Sequence, residues 1–432
     1  MKDYATLSLK KLAACIARRE ISVETVARAG IARIEELEPS VHAWQYFDAA
    51  QVIAQARQLD ARVHEGLLYG LPVGVKDLMD TADMPTTYGS PIYENHRPVL
   101  DAACVAAIRS AGAVVMGKTV TTEFATFRPG PTRNPRGIGD HTPGGSSSGS
   151  AAAVACGMVP AAFATQTAGS IIRPAAYCGV VGYKPTYGTL SLAGIKSLSP
   201  SLDTVGVLTR SVGDAAFFVG ALARLPLSDG LNTDAVPSTL RIGICRTPHW
   251  DRASDGARAM LEQAARLLEH AGAVISDVDL PAPCGGLTHA QIRIMGYEAA
   301  AAFAPEARTH PEGFSDAFAA LLQAGKTIDG TSYVAAQALA AASRQMVAVV
   351  FDKVDILLSP STEGEAPAGL AATGDPIFNR MWSLLGNPCV HVPLGNGPGG
   401  MPLGVTLTGP RWGDARALSA ANLLERVFAS HN

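Results

Sequence analysis

Short apolar runs recur along this chain, and stretches of helical periodicity separate them. Residues 71–75, 113–116, 240–245, 273–278, 354–358 and 403–407 are too short to be helices and read as buried strands. Between them, residues 7–37 read as two helices broken near Ile21 and Ser22, the second carrying Val26, Ile31 and Ile34 and ending before Pro39. Further helices are expected at 51–63, 101–110, 151–157, 257–271 and, alanine-rich, through 286–350. Ser211 and Asp214 form a capping pattern that opens a helix over 215–225. Strands alternating with helices in this way favour an α/β sandwich over an all-helical or all-β chain. Residues 159–200 read as short strands and turns, and the polar stretch 226–237 is the clearest break in composition.

The chain has 432 residues, 47% of them hydrophobic and 17% charged, enough apolar material for a large core. Lys and Arg number 35 against 38 Asp and Glu, and no basic block occurs, so nothing in the charge supports a nucleic-acid partner. No uninterrupted apolar run approaches the roughly 18 residues of a membrane span, and the N-terminus has no signal-peptide core. The seven cysteines are scattered and odd in number, which fits reduced thiols and a cytoplasmic setting. None groups with histidines at metal-ligand spacing.

Residues 112–119 satisfy the phosphate-loop pattern of Gly, four residues, Gly-Lys-Thr. That loop needs flexible backbone around the phosphates. Here the middle positions are an apolar strand, so nucleotide binding is rejected.

Three residues sit in settings that chemistry explains better than structure. Lys76 ends the apolar run 71–75, where an ammonium is costly unless compensated. It either pairs with Asp77 or Asp80, or is held near neutrality, where it can accept a proton. Ser146 lies in a Gly/Ser run over 143–150, at the end of a Gly/Pro-rich connection from Arg128 that is too long for a casual loop. Ser170 follows Ala168 and Gly169, small residues that leave backbone N–H groups free to face a developing oxyanion. A hydroxyl becomes a nucleophile only when a base takes its proton, and serine–lysine pairs are one solution. The combination points to acyl transfer.

The segments Gly74-Val75-Lys76-Asp77, the run 144–150, and 165–186 with Gly182-Tyr183-Lys184-Pro185 together resemble the amidase signature family. So do Glu123-Phe124-Ala125, Asn134-Pro135, Asp203-Thr204-Val205-Gly206 and Gly386-Asn387-Pro388. The resemblance covers nearly the whole chain and is weakest over 230–350. It implies one large domain, a large mixed β-sheet sandwiched between helices. Residues 1–65 would form N-terminal helices, 66–225 the catalytic core, 240–350 a helical elaboration and 351–432 a return to the core. It implies a serine–serine–lysine triad: Ser170 as nucleophile, Ser146 (in that family preceded by a cis peptide) as bridge, and Lys76 as base, so that no metal or organic cofactor is expected. The N–H groups of Thr167, Ala168, Gly169 and Ser170 would form the oxyanion hole. Ala168 replaces a usual glycine and Ser148 another; Ser147 and Ser148 are expected to be scaffold.

Arg173, three positions after Ser170, makes the motif similar to the malonamidase branch, where the equivalent arginine holds a substrate carboxylate. The other reading of Arg173 is structural. Arg128 and Arg133 are candidate second clamps, and His141 is read as an ordinary loop residue. Phe378, Met381 and Trp382 are expected to form an apolar wall. The resulting expectation is hydrolysis of a small linear, malonamate-like amide through an acyl-enzyme. The alternatives are a glutaminase-type amidotransferase subunit that delivers ammonia to a partner, or an amidase for aryl, peptide-terminal or urea-derived amides. A homodimer is expected by family similarity.

Overall fold

The computed structural model describes residues 7–137, 140–229, 231 and 240–431. Its strands are β1 (Trp44–Phe47), β2 (Pro72–Lys76), β3 (Val114–Thr119), β4 (Ala161–Gln166), β5 (Val181–Lys184), β6 (Thr204–Thr209), β7 (Arg241–Ile244), β8 (Val274–Asp277), β9 (Ile356–Pro360), β10 (Cys389–Asn396) and β11 (Pro402–Thr408). The helices are α1 (Leu9–Ala17), α2 (Val23–Val41), α3 (Ala49–Asp60), α4 (Ala103–Ser110), α5 (Ser148–Ala155), α6 (Ile172–Cys178), α7 (Val212–Ala223), α8 (Asp255–His270), α9 (Leu287–Ala302), α10 (Ala304–Thr309), α11 (Asp316–Lys326), α12 (Gly330–Lys353), α13 (Ile377–Leu385) and α14 (Asp414–His431).

The strands form one mixed sheet in the order β1-β3-β2-β4-β6-β5-β10-β11-β9-β7-β8, sandwiched between helices. β3, β2 and β4 run parallel, as do β9, β7 and β8, and the strands between these groups pair antiparallel. Every residue of β2, β3, β4 and β6 is buried, so these strands carry apolar and small residues without alternation; β6 was not expected from the sequence.

Most expected elements fall within a few residues of their observed bounds. Ser211 caps α7 as its pattern requires, its Oγ accepting from the N–H of Asp214 at 3.1 Å. The second helix differs: it runs through Pro39 to Val41 and ends on His42 in the left-handed region. Proline there lies on an exposed face in the last turn, where the carbonyl it leaves unbonded can meet water. The reading of 159–200 missed α6, whose Pro174 sits in the first helical turn, where its missing N–H costs nothing. The break at 226–237 lies largely outside the described residues.

Residues 114–119 are the buried strand β3, so the phosphate-loop pattern is coincidental. One helix among the described residues, α12, is long and apolar enough to cross a membrane, with a mean hydropathy of 1.4. Its alanines account for this without an unbroken run of large apolar residues. Its inward row of Ala336, Ala340, Ser343, Val347 and Phe351 serves packing against neighbours such as α9.

Candidate active site

Lys76 is the last residue of β2 and is fully buried. Successive side chains on a strand point to opposite faces, so Lys76 and Asp77 diverge. Asp77 instead meets Lys118 of β3 at 3.1 Å, and Lys118 also donates to the Met79 carbonyl and Thr86 Oγ1. Asp80 accepts from the Tyr88 hydroxyl. Neither acid pairs with Lys76. Its Nζ donates to Ser146 Oγ and to Thr165 Oγ1, both at 2.7 Å. Burial among hydroxyls, only partly offset by the charge of Asp203, pulls the amine down to about 7.

Ser146 follows the cis peptide Gly145–Ser146 and begins the turn into α5. Ser147 exchanges long contacts with the Thr165 backbone, and Ser148 donates to the Val120 carbonyl, so both hold the turn against β3 and β4. Ser170 lies beyond the end of β4 and lines a cleft. Its hydroxyl makes no hydrogen bond with any described group. The link from Lys76 to Ser146 is therefore formed, and no hydrogen bond yet joins Ser146 to Ser170. Catalytic contacts of this kind commonly tighten when substrate binds.

The backbone leading to Ser170 is fixed through its carbonyls. Gln291 Nε2 of α9 donates to the Thr167 carbonyl at 3.1 Å, and Ser383 Oγ of α13 donates to that of Ala168 at 2.7 Å. Thr167 Oγ1 donates to the buried Asp203, which also accepts from Ser197 Oγ and the N–H groups of Leu198 and Ser199. The N–H groups of Ala168, Gly169 and Ser170 donate to no described group, which leaves them for a ligand. Gly169 must be glycine: a Cβ there would lie 2.7 Å from Cβ of Pro376.

The cleft encloses about 430 Å³ of non-atom space, part of it open to solvent, a size that suits a small substrate. Ala125, Thr126, Phe127, Leu198 and Met295 form its less polar walls; Thr167, Ala168, Ser170, Arg173, Thr373, Gly374, Pro376 and Arg380 complete it. Arg173 is 5% exposed. Its two terminal nitrogens donate to the carbonyls of Gly374 (2.5 Å) and Gly145 (2.7 Å), and its buried Nε has no partner among the described residues. Burial pulls its pKa down to about 10.

Other expected residues lie elsewhere. Arg128 is exposed and does not line the cleft, because the chain turns after Phe127. Arg133 pairs with Asp140 at 2.5 Å. His141 forms a backbone bridge to Ala368. Phe378, Met381 and Trp382 point into the core: they share one face of α13, whereas Pro376 and Arg380, four apart, share the face toward the cleft. Thr165, Asp203, Gln291 and Arg380 were not singled out from the sequence. Asp203 lay in a recognisable segment; Gln291 and Arg380 lie in helices whose pattern looks like ordinary packing. Among the described residues no group of three or more His, Cys, Asp or Glu could hold a metal.

The arrangement can move a proton from a serine hydroxyl to a buried neutral amine beside unengaged N–H donors. Comparisons with known proteins agree in kind. A family model described as Amidase matches residues 25–418. The chain is 36% identical to the A subunit of the glutamyl-tRNA(Gln) amidotransferase of Acidothermus cellulolyticus over 500 aligned positions, which cover 99% of this chain and 95% of that one. Among solved structures, a crystal structure of an amidase superposes with a TM-score of 0.88 at 30% identity, covering 97% of this chain and 99% of the other. The native peptide amidase from Stenotrophomonas maltophilia gives 0.82 at 29% identity, covering 98% and 97%.

Proposed function

The chain belongs to the amidase family of hydrolases, which act on C–N bonds of linear amides, and on that premise we propose that it hydrolyses a small primary amide bearing a free carboxylate. Ser170 Oγ attacks the amide carbon while its proton passes to Ser146 Oγ, and the Ser146 proton passes to neutral Lys76. The developing oxyanion meets the N–H groups of Ala168, Gly169 and Ser170, with that of Thr167 beside them. The relay then returns a proton to the leaving nitrogen, the C–N bond breaks, and ammonia departs from an ester on Ser170. Water attacks that ester with the same relay taking its proton, and the free acid leaves. The observation that carries this reading is the 2.7 Å bond from a fully buried Lys76, its pKa near 7, to Ser146 beside Ser170's cleft.

The carboxylate is inferred from Arg173. Its guanidinium is buried in the cleft with no carboxylate within ion-pairing distance among the described residues, a state that an anionic substrate would relieve. Within that class glutamine comes before malonamate, because the Acidothermus relative belongs to a glutamyl-tRNA(Gln) amidotransferase and nothing specific supports a malonamidase-like branch. Delivery of the ammonia to a partner is a second reading that the same relative favours. The 500 aligned positions exceed the 432 residues here, so that relative carries insertions this chain lacks.

The test is ammonia release from glutamine, malonamate, malonamide, benzamide and allophanate by wild type, Ser170→Ala and Arg173→Ala. Turnover of carboxylate-bearing amides, abolished by the first variant and weakened in KM by the second, is the expected result. Preference for neutral amides, indifferent to Arg173, would refute the carboxylate. Activity that emerges only with a second protein present would favour the amidotransferase reading.

A further inference from the structure

Building on the carboxylate-bearing substrate proposed above, we infer that Arg380 is a specificity-determining residue: with Arg173 it forms a two-arginine wall for the substrate carboxylate, and Gln291 ties that wall to the oxyanion backbone. Arg380 is 8% exposed, lies on the cleft-facing side of α13 and lines the same cavity as Arg173 and Ser170. One of its nitrogens donates to Gln291 Oε1 at 2.7 Å. Gln291 is fully buried, and its Nε2 donates to the Thr167 carbonyl. One amide thus accepts from the cleft arginine and donates to the strand end that presents the N–H groups.

The charge balance argues for an anionic occupant. Neither guanidinium has a carboxylate within 4 Å among the described residues, and the two like charges repel across the cavity. Among those residues Asp375 is the one acid acting on both, and Arg252 already faces it at 3.6 Å. Much of the remaining wall is apolar (Ala125, Phe127, Leu198, Met295). Two buried cations with one shared, distant counter-charge leave a deficit that a carboxylate fills. The guanidinium fork suits it, because several of its five donors remain unspent. Arg380 would contact the substrate; Gln291 is a positioning residue that acts through Thr167.

Steady-state kinetics of the full chain test this, using wild type, Arg380→Met, Arg380→Lys and Gln291→Leu on malonamate and glutamine against malonamide. Arg380→Met should lose about 100-fold more kcat/KM on the carboxylate-bearing amides than on malonamide, mainly through KM. Gln291→Leu should lower kcat about tenfold on all three substrates alike. Equal losses on charged and neutral amides in Arg380→Met would make the residue structural and overturn the inference. So would a wild-type preference for carboxylates that Arg380→Met retains, and that result would leave the proposed substrate class intact. A wild type that prefers malonamide would instead remove the substrate class and this inference together. If Arg380→Met does not fold, competitive inhibition by malonate decides: it should weaken about tenfold in Arg380→Lys, and unchanged inhibition overturns the inference.

Discussion

Lys76 sets the pH response of this site. Its amine is a base only when neutral, and burial brings its pKa to about 7. kcat/KM should therefore rise with pH through about 7 and level off above, and Lys76→Ala should cost about 10⁴-fold in kcat. The same shift acts on stability. Between about 7 and lysine's ordinary 10.5 the unfolded chain holds a proton that the folded chain does not, so this residue makes stability rise with pH across that window. Burial lowers the Lys118 and Lys184 amines in the same direction, so thermal melts from pH 7 to 10 should show a slope that Lys76→Met reduces by the share of one proton. The position of Lys76 was legible because a lysine closing an apolar run breaks a local rule, as do serines packed among glycines. Arg380 broke none. An arginine in a short amphipathic helix looks like a solvated surface residue until α13 is seen against α9, and only the folded chain brings these segments together.

At the level of elements, the oxyanion backbone is shaped by its neighbours more than by its own sequence. α13 presses Pro376 and Asn379 against Gly169 and bonds the Ala168 carbonyl through Ser383. Gly169→Ala should displace the N–H donors and reduce kcat about 100-fold with a smaller effect on KM. Gly157 provides the contrast: it has φ +70° with open space around its Cα. Gly157→Ala should cost about 1 kcal/mol in stability and leave kcat alone. Kinetics and denaturant melts of the pair separate crowding from backbone strain. The expected apolar wall of Phe378, Met381 and Trp382 failed at this level. Composition identifies an amphipathic helix, but which face meets the cleft depends on how the helix docks, and periodicity alone does not say.

Across the whole molecule, the strands that carry the chemistry are fully buried. β2 and β4, which end at Lys76 and just before Ser170, lie in the middle of the first half of the sheet, whereas β8 closes the other edge with an exposed face. Hydrogen exchange should be slowest in β2, β4 and β6 and fast in β8; slow exchange in β8 would mean that another molecule covers that edge. Strands such as β2, β3 and β9 were legible because burial writes continuous apolar runs, whereas β1, β6 and β10 were not expected from the sequence. The strand order was not legible, because β10 inserts beside β5 from the far end of the chain. This layout separates two sets of positions. Lys76, Ser146 and the backbone of 167–170 come from the early strands and their connections, whereas Leu198, Met295, Thr373, Pro376 and Arg380 reach the cleft from later segments. A lineage can therefore exchange the second set, and with it much of the wall the amide meets, by point substitutions that leave the proton relay, Arg173 and the supporting strands untouched.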